Sequence, residues 1–585
     1  MKKCKQILTI ILAMCLSLTL FTGCSEHKEL EKEQSKKEKP VVTEAPADLE
    51  EESSAGAERE ESGEPADEEN KEANESTDLE RPEMVVEKNY LNYTLSEEDI
   101  AAFEAQLLLC EQMLQDGASY ADMDIAADTL SELASGLIYQ SSIAEIIYHC
   151  DMKNEEAVEN HLFSAEVVSE TDAEETSFLR ELYASGEYER CFEDAPELLL
   201  RYLEAYSEES AELEFRNKEI ETEFNDLEEE EFEEKVAPLY CESINNNNEI
   251  ARMSGYSNYY DYASVLVYKR DFDSEERELF REYVKTYIVP LYYSTYEQHE
   301  ESYTNLSRSE KRFLSELLYN PYDSFDTDYV KDYFATLPES SCDGMLHMFE
   351  EEAYVRTDNE NALEGAYTTN IGVPFCYFGP GMQQAFTIVH EVGHYYADYC
   401  ANTSWISFDL AEVHSQGNEM LFLTYLETVL EPEIFEALED YRIYYFIDAI
   451  IVSTLMDEFE ETVYLLPDEV DYTVEDFDAL MEQIIRSYGF AEDDEYIRYN
   501  MQWIWRNVGI SYPVYYLSYA TSAMASLSLY NMSQEDYGAA LEAYRILVEE
   551  ADENKNFTGT LEKAGIDSIF EVATYLKLRA TCEGR

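Results

Sequence analysis

The sequence predicts a mostly α-helical fold carrying one small β-sheet, and three observations predict it. Apolar residues recur at helical spacing over long stretches with few Gly or Pro interruptions. Strand-like runs are scarce. The one clear strand signal, Gly372 to Phe378 (GVPFCYF), is closed by Gly379-Pro380-Gly381 and stands just before a histidine-bearing helix.

The elements follow in chain order. Lys2, Lys3 and Lys5 precede the apolar run Ile7 to Phe21, which is too short and wrongly flanked for a good membrane span and reads as an export signal. It ends in Leu20-Phe21-Thr22-Gly23-Cys24, which resembles a bacterial lipoprotein box with Phe21 where Leu is commoner. That resemblance implies a signal peptide over 1–23, and a Cys24 that becomes the first mature residue and carries a lipid. Residues 24–86 are rich in Glu, Lys, Ser, Ala and Pro and almost without large apolar side chains. Such a stretch buries too little surface to offset its ordering entropy, so an acidic disordered linker is expected. The expected folded part divides into an N-terminal helical region over 87–205 and a catalytic region over 206–585.

Composition sets limits on partners. The chain has a net charge of −88, of which 22 acidic and 8 basic side chains lie between residues 26 and 83. Setting aside that linker and the three signal-region lysines leaves about −77 on the folded part. Such a field opposes nucleic acid, whose binding depends on Lys and Arg neutralising phosphates. With 45% apolar residues, 48 Tyr and 26 Phe, the remainder can build a large core. Of eleven cysteines, Cys4 and Cys15 fall in the signal and Cys24 in the lipid box; the others are dispersed without a CxxC pair, so no disulfide scaffold is expected.

Helices are expected over Glu97 to Gln115, Ser274 to Tyr287, Tyr441 to Tyr464 and Gln534 to Glu550. The chemistry lies in Phe386-Thr-Ile-Val-His390-Glu391-Val-Gly-His394. With eight histidines in 585 residues, HExxH should arise by chance about 0.02 times, so two incidental histidines are a poor explanation. On a helix, positions i and i+4 stack on one face, and both imidazoles can reach one zinc ion. Glu391, one step round, can then take the proton of a zinc-bound water as it attacks a carbonyl. A third ligand is needed. The helix expected over SFDLAEVHSQGNEMLFLTYLETVL, capped near Ser407 or Asp409 and stopped by Pro432, offers Glu412, which lies 18 residues after His394. His414 and Glu419 compete, as does Asp398; His414 faces elsewhere by spacing, and Asp398 suits orientation of a ligand better than ligation. Gln416 is a second candidate for that supporting role.

Four segments resemble the oligoendopeptidase F and thimet oligopeptidase family of zinc metallopeptidases: LYCESINNNNEIARMSGYSNYYDYA (239–263), GAYTTNIGVPFCYFGPGMQQAFTIVHEVGH (365–394), AEVHSQGNEML (411–421) and SYPVYYLSYATSA (511–523). The resemblance implies a two-lobed helical molecule, a deep channel admitting short peptides, and one zinc per chain on His390, His394 and Glu412. It implies that the strand near Phe375 pairs with substrate backbone, and that Tyr512, Tyr516 and Tyr519 line the site as catalytic hydroxyls. Counted in threes and fours, those tyrosines share one helical face. The sequence departs from the family at Ala397, where a further His is common, and at Asn507 and Gly509, where a His usually precedes the tyrosines. The expected function is a zinc metalloendopeptidase of short oligopeptides, lipid-anchored at the outer face of the cytoplasmic membrane. A catalytically weak or idle peptide-binding lipoprotein, and a carboxypeptidase-like trimming enzyme, are the alternatives.

Overall fold

A computed structural model describes residues 90–583 apart from 193–196, 206–207, 226, 228, 320–327, 401–405, 469, 492–493 and 551–555. The expected export signal, Cys24 and the expected acidic linker lie outside the described residues. Helices dominate. Those that matter below are α1 (Glu97–Asp116), α2 (Tyr120–Cys150), α3 (Glu155–Ala184), α4 (Glu229–Met253), α5 (Ser274–Tyr283), α6 (Ala385–Tyr399), α7 (Phe408–Glu427), α8 (Pro432–Tyr464), α9 (Tyr516–Glu535) and α10 (Tyr537–Glu549). Among the described residues no helix is long and apolar enough to cross a membrane.

Local chemistry explains the helix boundaries. Ser96 caps α1 by accepting from Asp99 N while Asp99 returns a bond to the Ser96 backbone, and Gly117 closes the helix in the left-handed conformation. The helix expected over Ser274 to Tyr287 ends earlier, at Tyr283, and continues as a π turn over Val284–Ile288. The run expected over Gln534 to Glu550 is instead cut at Asp536, whose extended backbone ends α9 and whose carboxylate caps α10. Ser407 caps α7, as its spacing predicts.

Among the described residues a small apolar cluster gathers Ile250, Ala251, Tyr262 and Leu266, and two larger ones form most of the core. The smaller of those two runs from Phe103 to Leu203 and gathers side chains of α1, α2 and α3. The larger takes in the sheet and the helices from α4 onward. Helix α2 serves both, with Met123 to Leu137 in the first and Ile143 and Ile146 in the second. The asparagine run in α4 fastens that helix to the end of α8, with Asn247 donating to Tyr464 Oη at 3.0 Å and Asn248 to Tyr464 O at 3.2 Å.

The sheet has three strands, β1 (Tyr354–Arg356), β2 (Ala366–Asn370) and β3 (Pro374–Phe378), in the order β1-β3-β2. β3 runs parallel to β1, pairing Val355 with Tyr377, and antiparallel to β2, pairing Thr368 with Cys376. The turn between β2 and β3 needs Gly372, whose φ is +90°. This corrects one expectation. The strand near Phe375 is central, bonded to β1 on one side and β2 on the other, so it has no edge to offer a peptide; among the described residues the edge strands of this sheet are β1 and β2. Its unbroken apolar sequence fits that central place.

Candidate metal centre

Helices α6 and α7 meet backbone to backbone, and a glycine permits it. A Cβ on Gly393 would lie 2.5 Å from His414 O and 2.8 Å from Ser415 Cα. Asn418 on α7 adds a tie, donating to Val389 O at 2.7 Å. The close approach carries Glu412 to the histidine face of α6. Glu412 Oε2 lies 3.8 Å from His390 Nε2 and 4.0 Å from His394 Nε2, and one donor atom from each residue falls within 4.8 Å of the others. The two imidazole planes cross at 76°.

This donor set fits zinc. Ligand atoms around a tetrahedral zinc stand about 3.3 Å apart at the usual 2.0–2.2 Å bond lengths, so small side-chain rotations would close the observed spacing. Two neutral imidazoles and a carboxylate leave a fourth position open, as catalytic sites require. Burial lowers the proton affinity of His394, which keeps its ring neutral and able to ligate.

Each donor is held from behind. His390 Nδ1 lies 2.8 Å from Glu419 Oε1, which fixes the tautomer with Nε2 unprotonated and directed at Glu412. Glu419 is itself paired with Arg442 of α8, whose guanidinium lies over the Phe386 ring at 4.3 Å and the Tyr445 ring at 4.7 Å. Glu419 therefore sits behind His390 and not among the three converging donors. Glu412 Oε1 accepts from Tyr515 Oη at 2.6 Å, and Oε2 accepts from Ser415 Oγ at 3.2 Å.

Glu391 is 1% exposed, and burial pushes its carboxyl up to about 7, toward the range useful for a general base. Thr368 of β2 lies with Oγ1 3.1 Å from Glu391 Oε2 and 2.9 Å from Glu391 O. The sheet thus orients the carboxylate that the motif helix supplies.

The remaining candidates fall in different places. His414 points away from the centre, as its spacing predicts: its Nε2 meets Leu547 O at 3.0 Å. Gln416 accepts from Ser522 Oγ at 3.1 Å, bracing α7 against α9. Asp398 is half-buried one turn beyond His394. The shared helical face for Tyr512, Tyr516 and Tyr519 does not exist, because α9 begins only at Tyr516 and Tyr512 precedes it in a turn. The rings do gather around Tyr515, which lies 4.8 Å from Tyr519 and 6.4 Å from Tyr512. Tyr515 touches Glu412, and helical counting passes over it. At the positions where a histidine is missing, Asn507 spends its amide on Trp503 O at 2.8 Å. A Cβ at Gly509 would meet Trp505 O at 2.8 Å and the Tyr240 ring at 3.2 Å, so a larger residue there needs a shift of the helix.

No family model and no curated protein matches the sequence. Solved structures do. A structure of PZ peptidase A with an inhibitor superposes with a TM-score of 0.69 at 17% identity, covering 85% of this chain and 98% of that one. Oligoendopeptidase F from Enterococcus faecium gives 0.54 at 15% identity, over 83% of this chain and 96% of its own. The chain has the fold of these peptidases over nearly their whole length.

Proposed function

We propose that the chain is a zinc-dependent metalloendopeptidase of short oligopeptides, with His390, His394 and Glu412 as ligands and Glu391 as general base. The observation that carries this reading is the convergence of three ligand atoms within 4.8 Å, beside a buried carboxylate on the same helix as two of them. The shared fold of PZ peptidase A and oligoendopeptidase F supports peptides as substrates. When bound, zinc would polarise the scissile carbonyl and lower the pKa of the attacking water. Glu391 takes that water's proton and delivers it to the departing amine; burial raises its proton affinity, and Thr368 fixes Oε2. Glu419 holds the proton on His390 Nδ1, which keeps Nε2 for the metal. The lipoprotein box at Leu20–Cys24 supports a lipid-anchored enzyme at the outer face of the cytoplasmic membrane; Cys24→Ser should leave the membrane fraction or accumulate as precursor, and a correctly cleaved, membrane-bound variant would contradict acylation.

The test is a mixed-peptide digest followed by HPLC, run as purified, after chelation, and after zinc is restored. Internal cleavage that disappears with chelator and returns with zinc is expected. Removal of residues from carboxyl ends alone would replace the endopeptidase with a trimming enzyme. A zinc-loaded protein that leaves every peptide intact would make it a peptide-binding lipoprotein.

A further inference from the structure

The Glu412–Tyr515 contact depends on a backbone conformation that its own residues disfavour. Val514, immediately before Tyr515, has φ +68°, a left-handed value costly for a β-branched side chain. Three buried groups hold that turn. Glu460 Oε1 accepts from Val514 N at 2.8 Å, Tyr268 Oη donates to Pro513 O at 2.6 Å, and Arg270 Nη2 donates to Val514 O at 3.0 Å.

Arg270 does more than the other two. It is 5% exposed, follows a π turn over Ala263–Val267, and is preceded by Lys269, another left-handed residue with φ +53°. Its Nη2 also donates to Ser518 Oγ of α9 at 3.1 Å, and its Nε reaches Asp409 Oδ2 of α7 at 3.3 Å. Asp409 stands three residues, just under one helical turn, before Glu412 and accepts from Thr521 and, at 3.4 Å, from Ser518. One guanidinium therefore binds the helix that carries Glu412 and the turn that carries Tyr515. The Tyr515 hydroxyl, in turn, occupies Glu412 Oε1 and leaves Oε2 as the oxygen nearest both histidines.

We propose that Arg270 is a positioning residue for the metal centre: it locks the strained 513–515 turn to the start of α7, so that Tyr515 holds Glu412 in a one-oxygen geometry toward His390 and His394. This rests on the zinc-peptidase reading above. Lysine cannot replace it, because a single ammonium cannot span Asp409, Ser518 and the Val514 carbonyl as the planar fork does.

The experiment measures zinc affinity by competition with a chromophoric chelator for wild type, Arg270→Lys, Tyr515→Phe and the double variant. Melting temperatures of the metal-free proteins, and kcat and KM on a cleaved peptide, are recorded alongside. Each single change should weaken zinc about 10- to 100-fold, the range for partners that orient a ligand, and lower kcat more than it raises KM. The double variant should be no weaker than the worse single, because both act through one hydroxyl. Losses that multiply, or an Arg270→Lys variant that melts lower yet keeps wild-type zinc affinity, overturn the proposal. If Arg270→Lys does not fold, Tyr268→Phe takes its place in the cycle, with a smaller loss expected and the same non-additivity required. A wild-type chain that takes up no zinc defeats the function reading and this inference together; zinc uptake with multiplicative losses defeats this inference alone.

Discussion

The histidine helix and the tyrosine turn meet Glu412 at different oxygens, and they are built by different means. On α6 the spacing of His390 and His394 is set inside one regular element, and Gly393 in the same five residues lets α7 pack against it. The tyrosine turn has no such internal rule. Tyr515 reaches Glu412 because Val514 is forced into a left-handed conformation by Glu460, Tyr268 and Arg270, at positions up to about 250 residues away in sequence. Chemistry written in one helix survives as a pattern; chemistry written across a strained turn depends on remote partners.

That contrast predicts unequal consequences. The largest should come from the helix side. Glu391→Gln keeps shape and all three ligands but loses the base, so turnover should fall about 10²- to 10⁴-fold with zinc content unchanged. Steady-state rates on a peptide found by the digest check this, and a near wild-type rate would remove Glu391 from the mechanism.

A smaller and more selective effect is expected among the tyrosines. Tyr512 and Tyr516 are buried, whereas Tyr519 is half-buried and keeps surface that a substrate could meet. Tyr519→Phe should lower kcat by as much as about 10²-fold if its hydroxyl serves the developing oxyanion, with zinc retained. Tyr512→Phe and Tyr516→Phe should instead shift the melting temperature and leave the rate alone. Rates and melting curves for the three variants sharpen the comparison. A kcat loss confined to Tyr512→Phe or Tyr516→Phe would show that exposure misidentified the donor.

Legibility in the sequence follows the same division. Helix periodicity, the Ser407 cap and the i,i+4 histidines are local, and they predict α1, α7 and the histidine face well, whereas α8 begins at Pro432 and not at the expected Tyr441. Spacing offers Glu412 but keeps Glu419 as its rival, and only the resemblance chooses between them; in the structure Glu419 meets His390 Nδ1 instead of joining the converging donors. Thr368 is invisible to pattern because β2 shows little strand periodicity, although it lies in the GAYTTN run. Arg442 does carry a signal: it is the one basic residue of α8, and a cation must be paired when buried. The start of α9 decides the tyrosines. A helix that begins at Tyr516 leaves Tyr512 and Tyr515 outside the periodic count, and no such count supplies where the helix begins.

The most direct test of the central claim is zinc stoichiometry, by elemental analysis, for wild type, Glu412→Gln and Glu419→Gln purified alike and shown to be folded. The arrangement of the donors predicts one zinc per chain in wild type, strongly reduced zinc in Glu412→Gln, and retained but weaker binding in Glu419→Gln, which loses only the orientation of His390. Full occupancy in Glu412→Gln together with loss in Glu419→Gln would contradict it and move the third ligand to Glu419.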